Sequence, residues 1–293
     1  MVQKVAVLLV HGMERSTTDN LTLDASKKAM IEGLHQVFKA HVPDVAPEKA
    51  LSFQMALWPI QSGLQIKSLD FIETMMNSGL NIGVLRQLVQ QLLLMGVSYQ
   101  FGAQEREIYE SVHTVFAQSL NTLARVTGEK APLVIVAHSI GCVMIANYLY
   151  DIQEHTDEHP RIPAAVQKHI RDTPLERAET LSHLFTMGSP QAMWAMRLNQ
   201  FGVPVTVPAP QLATYYPKIK GQWTNLYDKD DVMSYPLQPL NNEYDRIVKD
   251  VEVNVGGLLS SWNPASHLEY WTDKHVLERI GTALADVWRG AQK

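Results

Sequence analysis

Leu133-Val134-Ile135-Val136-Ala137-His138-Ser139-Ile140-Gly141-Cys142 is the stretch on which the fold turns. Leu133 to Ala137, introduced by Pro132, is a continuous apolar run rich in β-branched residues, the pattern of a strand buried on both faces. It breaks at His138-Ser139-Ile140-Gly141, and Cys142 to Tyr150 then carries the apolar spacing of a buried helix. A sharp strand-to-helix turn lifts the hydroxyl of its serine clear of the sheet and presents it to solvent. Small residues two before and two after the serine relieve the crowding of such a turn, and Ala137 and Gly141 hold those places. The usual pattern has glycine at both; here alanine stands at the first. The bland alternative is a serine capping an ordinary strand–helix connection.

Outward from this turn the chain alternates strands with helices. Val5 to Val10 is a second fully apolar run, ending at His11-Gly12, and Asp19 or Asn20 can cap a helix to about Ala40. Ser52 to Trp58 reads as a strand closed by Pro59, and residues 61–125 as almost wholly helical, with Ile108, Val112, Val115, Phe116 and Leu120 forming one apolar stripe. Leu184 to Met187 ends at Gly188-Ser189-Pro190, and Trp223 to Tyr227 ends in Asp228-Lys229-Asp230-Asp231. Asp250 to Val255 alternates apolar and polar positions, as an edge strand does, and Thr272 to Trp288 closes the chain as an amphipathic helix. The expected architecture is a single α/β domain over residues 1–293, with a mainly parallel central sheet and helices on both faces. Ligands of such sheets sit beyond the carboxyl ends of the strands, where His11, His138, Ser139, Ser189, Asp230 and His267 all fall.

Composition excludes other classes. With 293 residues, 46% apolar, the chain buries an ample core without disulfide or metal staples. A net charge of −5 and the lack of any basic stripe argue against nucleic-acid binding. The single cysteine, Cys142, cannot form an internal disulfide, reads as a buried small hydrophobe, and fits a reducing, cytoplasmic setting. Val5 to Val10 is too short for a leader's apolar core, and Ile82 to Phe101 is interrupted by Arg86, Gln87, Gln90, Gln91 and Gln100, so no membrane segment is expected. His155 and His159 flank Asp157 and Glu158 at a spacing that could bind metal on a helix, but they read as a solvated loop closing on Pro160. No metal or other cofactor is expected.

Five anchors, in order, resemble the α/β-hydrolase family, and most nearly its lipase and esterase branches. Leu8 to Met13 resembles the first oxyanion loop, Val136 to Gly141 the nucleophile elbow, and Thr186 to Pro190 a strand end frequent in the lipases. Asn225 to Val232 is similar to the loop bearing the acid, and His267 to Trp271 to the loop bearing the histidine. The anchors span residues 5–271, nearly the whole chain. The resemblance implies an α/β-hydrolase-like fold and hydrolysis of a carboxylic ester through an acyl-enzyme on Ser139. Residues 59–104 then form a helical insertion, read either as a cap over Ser139 or as extra helices on the sheet edge.

Serine is a poor nucleophile until a neighbouring base takes its proton. His267 is assigned as that base because it follows the last strand and precedes the last helix; His275 reads as a helix-face residue, His183 as structural, and His138 as too near Ser139. Asp228, Asp230 and Asp231 are all candidates for the carboxylate that orients the base. The family pattern of an acid, one variable residue and valine selects Asp230. The backbone N–H of Ile140, the residue after the nucleophile, is one oxyanion donor, and by the resemblance Met13 supplies the other. His11, Gly12, His138 and Ser189 are candidates for lining the site, His11 by ordering the oxyanion loop. Gly12 followed by bulky Met13, in place of a glycine run, resembles loops of lipases that take medium or long acyl chains. The expected partner is therefore a small-molecule ester or thioester with an apolar acyl group. An acyltransferase would use the same triad, whereas a silent binding scaffold of this fold would usually lack one of its members.

Overall fold

The computed structural model describes residues 2–12, 20–57, 103–156, 158–196, 199–256 and 264–292. Its centre is a six-stranded sheet: β1 (Val5–Val10), β2 (Leu51–Ala56), β3 (Leu133–His138), β4 (Leu181–Met187), β5 (Gln222–Tyr227) and β6 (Val248–Glu252). Every pairing is parallel and the spatial order is β2-β1-β3-β4-β5-β6. The alternating apolar side chains of the strands point to opposite faces, and each face meets its own pair of long helices. Val5, Val7 and Leu9 pack with Met30, Leu34 and Phe38 of α1 (Asn20–His41) and with Ile280 and Leu284 of α4 (Lys274–Ala291). Ala6, Leu8 and Val10 face Val112, Phe116 and Leu120 of α2 (Ala103–Thr127) and Val143 and Met144 of α3 (Ile140–Gln153). Both faces of the sheet are thus covered, as a parallel sheet requires.

From β1 the chain steps outward to β2 and then crosses back, so that β3 lies on the other side of β1. The strand order therefore reverses between β1 and β3, the point at which open α/β sheets form their ligand crevice. His11-Gly12 and His138-Ser139 leave the sheet at that point.

The expected strands occur, with shifted ends. β4 begins at Leu181, three residues early, because Ser182 and His183 are buried strand residues despite their polarity; the Ser182 hydroxyl donates to the Leu133 carbonyl oxygen at 3.0 Å. The edge strand is β6, Val248–Glu252, where alternation suggested Asp250–Val255. Asp250 is drawn inward instead of outward, since its carboxylate accepts the N–H groups of Leu237 and Gln238 and the side-chain amide of Asn225. β2 ends at Ala56, and α4 starts at Lys274 behind an Asp273 cap that accepts from the N–H groups of His275 and Val276. The insertion expected over residues 59–104 lies outside the described residues, apart from Ala103 and Gln104 at the start of α2.

Besides His267, four histidines are buried in this fold. Burial lowers His11 and His183 from the ordinary 6.5 to about 4, and His113 and His138 to about 3. Between those values and 6.5 the unfolded chain takes up protons that the folded chain refuses. Stability is then complete above about pH 6.5 and is lost as pH falls below it, by roughly 2 kcal/mol per histidine at about pH 5. The midpoint of thermal unfolding should therefore drop steeply from pH 7 to pH 5, and His113→Phe, placed among Tyr109, Phe116 and Tyr148, should flatten that slope.

Candidate active site

Ser139 joins β3 to α3 with φ 54° and ψ −134°, a left-handed conformation that a residue with a Cβ occupies only under strain. The turn is held by its neighbours. The Ser139 N–H donates to the Met187 carbonyl oxygen at 2.9 Å, and the Ser139 carbonyl accepts the Cys142 N–H at 3.0 Å. Glycine is needed on both sides of the crevice: a Cβ at Gly141 would fall 2.4 Å from the His11 carbonyl oxygen, and one at Gly12 would fall 2.6 Å from Ser139 Cβ. The loops after β1 and β3 are therefore in backbone contact at the switch point. Ile140 opens α3, and the first N–H groups of a helix have no partner within it.

The structure brings Ser139 and His267 together across 128 residues of sequence: Ser139 Oγ lies 2.9 Å from His267 Nε2. His267 sits on the short turn Pro264–Leu268 and is buried. Its Nδ1 lies 2.8 Å from Oδ2 of Asp231, not of Asp230. The carboxylate facing His267 is thus one residue beyond the Asp230 chosen from the sequence. Asp230 is exposed, and its N–H donates to the Asp228 carboxylate at 2.8 Å, closing a turn that sends its own side chain outward and the next one inward. The buried apolar residue two after the acid is Met233, while Val232, on which the family pattern was aligned, is 44% exposed. Asp228 is buried but serves the loop, accepting also from the Val255 N–H at 2.7 Å.

Asp231 is fully enclosed. Burial opposes its charge, but the hydrogen bond and charge of His267 and the Met233 N–H, 2.9 Å from Oδ1, outweigh it and hold the carboxyl below its ordinary value. The Tyr270 hydroxyl also reaches Asp231 Oδ2, at 3.2 Å, and accepts the Asp228 N–H at 3.0 Å. Behind this loop, Asn225 ties β5 to the returning chain: its amide donates to the Tyr235 carbonyl and to Asp250, while its oxygen accepts from Thr186.

The other candidates fall as follows. The His11 ring places Nδ1 2.6 Å from the Gly12 carbonyl oxygen, which matches the role of ordering its own loop. Gly12 meets Ser139, and His138 lies against His267. Ser189 is fully buried with its hydroxyl accepting the Gln191 N–H, so it caps a turn and does not line the crevice. The preceding residue, Gly188, is the one that lies beside the Asp231 and His267 side chains. Met13 lies outside the described residues. Cys142 is buried with its thiol pushed up to about 12, which keeps it from acting as a nucleophile. His155 Nδ1 accepts from the N–H groups of Arg161 and Ile162 as a loop organiser. Among the described residues no cluster of three metal-ligating side chains occurs, and no helix is long and apolar enough to cross a membrane.

Gly188 and Tyr270 were not singled out by the sequence. Gly188 has φ +57°, and a Cβ there would lie 3.1 Å from Asp231 Oδ2 and 3.2 Å from His267 Cε1. Gly188→Ala should cost about 1–2 kcal/mol in backbone strain and also displace both side chains, which would shift the imidazole NMR signals of His267. Gly128, at φ +100° with nothing within 4 Å of an added Cβ, is the control. Gly128→Ala should show a stability loss by thermal unfolding while the His267 imidazole signals stay in place. Unshifted His267 signals in Gly188→Ala would remove Gly188 from the site.

No known protein family and no curated protein matches this chain.

Proposed function

We propose that the protein is a serine hydrolase of α/β-hydrolase type that cleaves a carboxylic ester or thioester through an acyl-enzyme. The observation that carries this reading is the buried chain Ser139 Oγ–His267 Nε2 (2.9 Å) and His267 Nδ1–Asp231 Oδ2 (2.8 Å), built on a strained serine at the sheet's switch point. In this reading neutral His267 takes the proton from Ser139 as its oxygen attacks the carbonyl carbon. His267 returns the proton to the leaving group, and Asp231 holds Nδ1 protonated and stabilises the imidazolium. The tetrahedral oxyanion is held by the Ile140 N–H at the start of α3, joined, as the resemblance implies, by that of Met13. Water then attacks the acyl-enzyme by the reverse sequence, so no cofactor takes part.

An apolar acyl group is supported by the surface around the crevice. Leu57 after β2, Met193 and Met196 after β4, Val232 beside Asp231 and Leu268 beside His267 are all exposed at the carboxyl edge of the sheet. These are five of the eight large apolar residues exposed among the described residues, and their positions in the chain, after strand ends or next to Asp231 and His267, favour an apolar ligand. The test is hydrolysis of p-nitrophenyl esters of increasing acyl length, together with covalent labelling by a fluorophosphonate. Labelling with turnover that rises toward medium or long chains is the expected result; a folded protein that neither labels nor turns over any ester would overturn the reading.

A further inference from the structure

Resting on the serine-hydrolase reading, we propose that His138 is a positioning residue, whose Nε2–H donates to the backbone carbonyl of His267 and locks the turn bearing the base onto the turn bearing the nucleophile. Nε2 lies 2.7 Å from that carbonyl oxygen. A carbonyl can only accept, so the proton is on Nε2 and Nδ1 carries the lone pair. The bond joins the residue next to the nucleophile to the base itself, across 129 residues of sequence. With the Ser139–His267 contact it closes a small ring: His138 holds the backbone of His267, and His267 reaches back to Ser139. The Ser–His separation is thereby set by two hydrogen bonds to adjacent residues of the elbow and not by the Pro264–Leu268 turn alone.

Three further observations point the same way. The rings of His138 and His267 are 4.8 Å apart, and Tyr270 and Trp271, three and four residues after the base, pack on His138 at 5.7 and 5.6 Å. The turn carrying the base is thus wrapped around this one side chain. His138 is fully enclosed, and burial keeps it uncharged at neutral pH, so it adds no positive charge beside the imidazolium that His267 becomes. Its Nδ1 is buried without a hydrogen-bond partner. An orphaned buried acceptor carries a desolvation cost that nothing repays, which phenylalanine or leucine would not incur. An apolar side chain would pack here at lower cost; what histidine adds is the single N–H donated to His267.

His138→Phe keeps the ring contacts and removes the donor, while His138→Gln places an amide N–H near the position of Nε2. Ester kinetics, fluorophosphonate labelling rate and thermal midpoint are measured for both against the wild type. His138→Phe should lower kcat and the labelling rate by roughly 10–100-fold with KM within twofold, as a misplaced but intact base does. Its midpoint should not fall, and His138→Gln should recover most of the rate. Should His138→Phe not fold, His138→Leu replaces it in the comparison with Gln. A donor-free variant as fast as the wild type, or an equal loss in the Phe and Gln variants, would overturn the positioning role while leaving the hydrolase reading intact. Absence of labelling in the wild type would overturn both, and so separates the two failures.

Discussion

Ser139→Ala should leave a folded protein whose ester turnover is lower by roughly 10⁴–10⁶-fold and which no longer takes up fluorophosphonate. The size follows from what is removed. The Oγ that lies 2.9 Å from His267 is the only atom in the arrangement that can carry the acyl group, so the two-step path is lost and not merely slowed. Residual rate would come from the remaining N–H donors and from substrate binding. The backbone supplies a second readout on the same residue. At φ 54° any side chain is strained, so Ala inherits the strain of Ser, whereas glycine adopts this region freely. Ser139→Gly should therefore be as inactive as Ser139→Ala yet more stable, by about 1 kcal/mol. An inactive variant more stable than the wild type would identify the strain as something retained for chemistry. A Ser139→Ala protein that still hydrolyses esters would end the serine mechanism, whatever the geometry around it.

The sheet was legible because its central strands are buried on both faces. β1 and β3 are apolar at nearly every position, and their short length and β-branched residues separate them from a buried helix. β4 and β6 were legible only in part, since Ser182 and Asp250 are polar residues whose hydrogen bonds are made inside the fold and His183 is a buried histidine, and composition records polarity but not pairing or burial. Ser139 and His267 were readable from their places after a strand and before a helix. The acid was not, because three aspartates in four positions differ only in which way a tight turn aims them. That turn is set by the Asp228 carboxylate on the Asp230 N–H, a contact between backbone and side chain that leaves no periodic trace. Tyr270, three residues after His267, lies just beyond the short Pro264–Leu268 turn, and its hydroxyl reaches Asp231 only because the loop after β5 and this segment converge. The contribution of His138 was hidden for a related reason: nearness to Ser139 in sequence counted against it as a base, while its bond to His267 depends on the tertiary fold.

Asp231→Asn should lower kcat by about 10⁴-fold with KM little changed, while Asp230→Asn should leave both within twofold. An amide at position 231 can offer its N–H₂ to His267 Nδ1, which stabilises the tautomer with the proton on the wrong nitrogen and leaves Nε2 unable to accept from Ser139. Because Asp231 also receives the Met233 N–H and the Tyr270 hydroxyl, its replacement disturbs an anchored carboxylate, and no other acid among the described residues is placed to substitute. Asp228 is committed to the N–H groups of Asp230 and Val255. The depressed carboxyl of Asp231 adds a stability signature with a definite sign. A group held below its unfolded value stabilises the fold above that unfolded value, and the contribution disappears as pH falls through the folded one. Asp231→Asn should therefore lose part of the acid-induced drop in thermal midpoint below about pH 4. If instead Asp230→Asn is the crippled variant and Asp231→Asn is active, the turn closed by Asp228 faces the other way in the working protein, and the family pattern of acid, variable residue and Val232 holds after all.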